Sequence, residues 1–121
     1  MNELKQFLIY IGITPEKQGF NYLILAVEEV QGKAHANLSK AYNKISLKTG
    51  VNVCTLDSSI RNAIHFAYDS GKLKRLNLKI GFEFIGDRCP TNKELVSILS
   101  YCKENKFFDT IEDNIIFHEA S

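Results

Sequence analysis

With 121 residues, 45% of them apolar and 24% charged, the chain has the size and composition of one globular domain spanning 1–121 that can bury a core without staples. A net charge of +1, three cysteines with no CxxC pair and no apolar run longer than Tyr22 to Val27 exclude a disulfide-built secreted scaffold and a membrane-spanning helix. No charged-then-apolar leader opens the sequence, so a soluble, cytoplasmic protein is expected.

Glu3 to Gly12 is expected to form a short helix with Leu4, Phe7, Leu8 and Ile11 on one face and Gly12 as its stop. Thr14-Pro15 marks the start of the next helix, because proline loses nothing in a first turn. Phe20 to Val30 is apolar almost all round, the signature of a central, buried helix. A connection follows, with Asn37 as the cap of the segment that organises the chain.

That segment runs from Leu38 to Gly71. Leu38, Ala41, Tyr42 and Ile45 repeat at i, i+3, i+4, i+7 and predict a helix over about 38–48. Thr49-Gly50-Val51-Asn52 interrupts it, with Gly50 able to close one helix in the left-handed conformation and Asn52 able to cap the next. Val53, Leu56, Ile60, Ala63, Ile64 and Ala67 form the stripe of a second helix, about 53–70. Its opposite side carries Cys54, Ser58, Arg61, Asn62, His65 and Asp69. Two helices joined by a tight glycine turn make a helix-turn-helix, whose second helix fits the DNA major groove.

After Gly71 the stretch KLKRLNLKI predicts a short cationic helix. Gly81 to Gly86 alternates like an extended segment or a hairpin arm that could act as a wing. Thr91 and Glu94 form a capping box, and Leu95, Ile98, Leu99 and Cys102 continue a helix to about Asn105. Residues 107–121 mix Phe107, Phe108, Ile115, Ile116 and Phe117 with four acids, and no element is assigned to them. The fold class is all-α, with five to six helices.

Charge is segregated along the chain. Residues 36–82 hold eight Lys and Arg against two acids, a net of +6, while the remainder carries −5. Nucleic-acid binding needs such a local footprint whatever the overall charge. Catalytic and metal chemistry find no support. His35, His65 and His118 lie far apart without partners at ligand spacing, and Cys54 sits about three helical turns from His65. Cys102 falls on an apolar stripe, and the adjacent Glu28 and Glu29 point to different sides of a helix as solvated charges. No enzyme activity, cofactor, metal or small-molecule substrate is expected.

The runs ITPEKQGFNYLILAV, LSKAYNKISLKTG, SSIRNAIHFAYDSG and PTNKELVSIL, in that order over roughly residues 4–105, resemble the C-terminal effector domain of the sporulation-initiation response regulators of endospore-forming bacteria. The resemblance implies six helices and a DNA-binding transcription regulator of sporulation. It would be nucleoid-associated, with the second motif helix in the major groove, and could sit on tandem boxes as a homodimer. Residues 107–121 lie outside it. Two departures stand out. The family places a phosphoacceptor receiver domain first, so a chain opening at the effector domain is expected to be an excised piece or to lack phosphorylation control. In the recognition helix Arg61 matches a family arginine and Asp57 a family glutamate, but Thr55 and Ser58 replace arginines and Asn62 replaces a histidine.

On this reading Lys40, Lys44 and Lys48, at i, i+4, i+8, face phosphates, and Lys72, Lys74 and Arg75 grip the backbone beyond the recognition helix. Thr55, Asp57, Ser58, Arg61 and Asn62 read bases, with His65 on the same face. The alternative is a protein-interaction module of the same fold that binds a partner regulator.

Overall fold

A computed structural model describes residues 3–31 and 37–105. Among them are six α-helices and no strand: α1 (Glu3–Tyr10), α2 (Gln18–Val30), α3 (Leu38–Thr49), α4 (Val53–Asp69), α5 (Arg75–Ile80) and α6 (Asn92–Glu104), with a 3-10 turn at Lys72–Lys74. The tail expected over 107–121 lies outside the described residues.

α2 is the axis of the core. Its Phe20, Leu23, Ile24, Ala26, Val27 and Val30 are buried, and it packs against α4, α6 and α3. The α2–α4 crossing is backbone-close at Gly19, where an added Cβ would lie 2.3 Å from the Ser59 carbonyl oxygen and 2.9 Å from the Ala63 Cβ. Only a residue without a side chain lets the two helices approach that far. Leu56, Ile60, Ala63, Ile64 and Ala67 of α4 close the same hydrophobic cluster as Leu95, Val96 and Leu99 of α6. The α4 and α6 stripes expected from the periodicity are buried except for Val53 and Ile98, which are half-buried against the cluster; Cys102 is buried, and burial raises its thiol to about 12.

The helix ends follow their caps. The Asn37 side chain accepts the Lys40 N–H at 3.0 Å, and that of Asn52 accepts the Cys54 N–H at 2.7 Å. Gly50 takes φ 75° and donates its N–H to Ser46 O, ending α3 in the left-handed conformation. Thr91 and Glu94 form the full capping box, with Thr91 N donating to Glu94 Oε1 at 2.9 Å.

Three expectations change. Thr14-Pro15 opens a turn, closed by the Lys17 N–H on Thr14 O at 3.1 Å, and α2 starts only at Gln18. The cationic stretch after Gly71 is split between the 3-10 turn and α5, because Leu73 and Leu76, three residues apart, must both reach the core. Residues 81–86 form no wing. The Asn77 side chain takes the N–H groups of Phe84 and Ile85, each at 2.8 Å, and donates to Ile85 O, which fastens the loop to α5 with Ile85 buried. Tyr68 Oη donates to Gly86 O at 3.2 Å and fixes its far end to α4.

Candidate nucleic-acid interface

The exposed side of α4 is polar apart from Phe66, whose half-exposed ring lies under Lys17 Nζ at 3.9 Å. Cys54, Thr55, Ser58, Arg61, Asn62 and His65 are all exposed, while the opposite side is sealed in the core. Amide, hydroxyl, imidazole and guanidinium groups on one helix face offer the donors and acceptors that base edges present in a major groove. Thr55, Ser58, Arg61, Asn62 and His65 therefore share one face, as expected.

Asp57 does not stand with them as an outward reader. Its Oδ2 pairs with Arg61 Nη2 one turn on, while its Oδ1 and its backbone carbonyl both accept from Asn92 Nδ2, at 3.0 and 2.9 Å. The same Nδ2 lies 3.2 Å from Tyr42 Oη of α3. Asn92 is only 7% exposed, so one buried amide joins α3, α4 and α6. Burial holds the Tyr42 hydroxyl up to about 12, and the nearby Asp57 carboxylate pushes the same way, while its bond from Asn92 works against them. Asp57 is placed as an anchor because its short side chain can turn back along the helix towards α6.

The lysines of α3 are also engaged. Lys48 Nζ lies 3.0 Å from Glu29 Oε1 and Lys44 Nζ 3.7 Å from Glu29 Oε2, with the Glu29 side chain 17% exposed. Glu29 is thus no solvated charge but a shared partner reaching across from α2; Glu28, on the other side, pairs with Lys103 of α6 at 3.8 Å. Lys40 is exposed, and its side chain has no partner among the described residues.

The third cationic group divides as well. Lys72 and Lys74 are exposed and unpaired among the described residues. Arg75 is exposed too but engaged: its Nη1 donates to Tyr10 O at 2.9 Å, and its guanidinium lies 5.3 Å from the Tyr10 ring centre. A cation on the last carbonyls of α1 suits that helix end, so Arg75 holds α1 in place. Lys79 sits 5.2 Å from the same ring, and its burial lowers its affinity for the proton.

Sequence reasoning missed Asn92 and Lys93. Together with Arg61, His65, Asp57, Cys89 and Thr91 they line an open cleft of about 350 Å³ between α4 and the start of α6. The capping box located this helix start; nothing local showed that it docks beside the polar face of α4. Among the described residues no group of three or more His, Cys, Asp or Glu could hold a metal ion, and no helix is long and apolar enough to cross a membrane.

No curated protein and no solved structure is significantly similar to the chain. The family model described as sporulation initiation factor Spo0A C terminal matches residues 4–102, which spans every described helix but the very ends of α1 and α6. The chain therefore belongs to the family of Spo0A C-terminal domains, the effector domains of a sporulation regulator and not a family of enzymes.

Proposed function

We propose that the chain is a double-stranded-DNA-binding domain of a transcription regulator, acting in the cytoplasm on the nucleoid, with α4 in the major groove. The observation that carries this is the two-sided character of α4: a continuous exposed row of Thr55, Ser58, Arg61, Asn62 and His65 on a helix whose back is buried and whose entry is set by the α3 turn. Any surface helix is polar outside; what favours a groove here is that this face belongs to the second helix of a tight helix-turn-helix. Lys40, Lys72 and Lys74 can meet phosphates without rearrangement, and Lys44 and Lys48 can do so by exchanging Glu29 for a phosphate. Two copies on tandem boxes would act as a dimer, in keeping with the family resemblance.

The test is a binding titration at two salt concentrations on duplexes recovered by in-vitro selection. With about four to six phosphates neutralised, log affinity should fall with log salt at a slope of roughly −4 to −5. Arg61→Ala and Asn62→Ala should remove the preference for the selected duplex while leaving that slope nearly intact. Binding that is absent, or indifferent to salt, would hand this face to a protein partner instead.

A further inference from the structure

Arg61 is the only Lys or Arg on α4, and its side chain is 53% exposed. A guanidinium so placed samples many rotamers, and a carboxylate one turn away restrains it weakly when both are solvated. Here that carboxylate is itself fixed. One oxygen of Asp57 holds Arg61, while the other, and the Asp57 carbonyl, are held by the buried Nδ2 of Asn92. Asn92 in turn is the first residue of α6, and its backbone is set by the Thr91–Glu94 box, which Arg88 clamps through two bonds of 3.0 and 2.8 Å. Tyr42 completes the junction from α3.

We infer that Asn92, outside the helix-turn-helix, is a positioning residue for sequence discrimination: through Asp57 it aims the Arg61 guanidinium at a base edge. A guanidinium held in one orientation can make the paired contact to guanine O6 and N7, whereas a loose one settles equally on any phosphate. Packing alone would be served by an apolar side chain; a buried amide persists where its hydrogen bonds have work to do, and this one touches three oxygens. The inference rests on base reading by α4 as proposed above. It also reassigns Asp57 from base reader to the brace of the reader beside it.

The experiment is a cycle on the full chain using a duplex selected by the wild type and a scrambled duplex of equal composition. Asn92→Leu should lower the ratio of the two affinities about tenfold by weakening the selected duplex alone, with the scrambled duplex unchanged. In an Arg61→Ala background the same substitution should lower the ratio no further. Equal weakening on both duplexes, or a further drop in the Arg61→Ala background, overturns the inference. If Asn92→Leu does not fold, Asp57→Asn runs the same cycle with side-chain volume conserved. Arg61 guanidinium NMR provides a readout without DNA: rotation about the Nη bonds should be slow in the wild type and averaged in either variant, and unchanged rotation again overturns the inference. A wild type that prefers no duplex but shows slow rotation would refute base reading while leaving the brace itself demonstrated.

Discussion

Glu29 offers the sharpest test of whether α3 meets DNA. Its carboxylate holds two lysines of the expected phosphate row, Lys48 at 3.0 Å and Lys44 at 3.7 Å, and both lysine side chains remain more than half exposed, at 69% and 56%. Ion pairs this open to water are worth only about 0–1 kcal/mol each, so a phosphate can displace the carboxylate. Displacement still leaves a negative charge facing the DNA backbone. Glu29→Gln removes that charge, keeps the side chain's shape and frees both lysines. With about 0.5–1 kcal/mol of competition lifted per lysine, about 1–2 kcal/mol for the two, and 1.4 kcal/mol per tenfold, affinity should rise roughly five- to thirtyfold at low salt. The salt slope should steepen by up to about 1, because the one negative charge that offsets the lysines at the DNA backbone is gone. Fluorescence anisotropy on a scrambled duplex at two salt concentrations reads both quantities, since phosphate contacts carry no sequence information. Lys44→Glu should act in the opposite direction and weaken every duplex alike. A folded Glu29→Gln protein with unchanged affinity and slope would place the Glu29 side of α3 away from the phosphates, and the argument would fail.

Three further outcomes are expected. Gly19→Ala forces a Cβ to 2.3 Å from the Ser59 carbonyl oxygen at the α2–α4 crossing, so it should cost about 3 kcal/mol, the upper end for overpacking, in a urea unfolding curve. The Glu94 carboxyl is held at about 2, against an ordinary 4.5, first by its bonds from Arg88 and then by the Thr91 N–H. A depressed carboxyl stabilises above its unfolded value, so the Tm deficit of Glu94→Gln should be full at pH 7 and shrink as pH falls from about 4.5 towards 2. Thr55→Arg/Ser58→Arg restores two family arginines on an exposed face and should raise discrimination for the family's box over scrambled duplexes by roughly 2–6 kcal/mol at most, measured as the ratio of affinities.

The elements that could be read from the sequence are those whose physics is local. Apolar positions three and four apart placed α3, α4 and α6, and Asn37, Gly50, Asn52 and the Thr91–Glu94 box set their ends to within a residue, because each cap bonds a neighbour no more than four residues away. The exposed row of α4 followed from the same periodicity. What could not be read depends on where separate helices meet. Glu29 finds Lys48 across 19 residues and Asn92 finds Asp57 across 35, and no spacing rule connects them. Arg75, 65 residues from Tyr10, looked like a backbone grip because its cationic neighbours are exposed. The alternation at Gly81–Gly86 suggested a wing, since the anchor that folds it down is one amide, Asn77, in the preceding helix.

These long-range contacts change what α4 can present to a partner. The sequence offered five base readers of equal standing; the structure withdraws Asp57 into the α6 junction and gives Arg61 a fixed brace. Thr55 and Ser58 are short, and Ser58 Oγ donates to the Thr55 carbonyl at 3.4 Å, so this end of the face reaches less far into a groove than arginines would. Discrimination should then concentrate at Arg61 and its neighbour Asn62, a guanidinium suited to guanine beside an amide suited to adenine. A selected site should accordingly be strict over about two adjacent base pairs and permissive beside them. Such a site is shorter than three outward arginines would impose, and it would favour occupancy of paired boxes, where two weak readings add. That pattern follows from the brace: moving Asn92 should blur the strict pair and leave the permissive flank as it was.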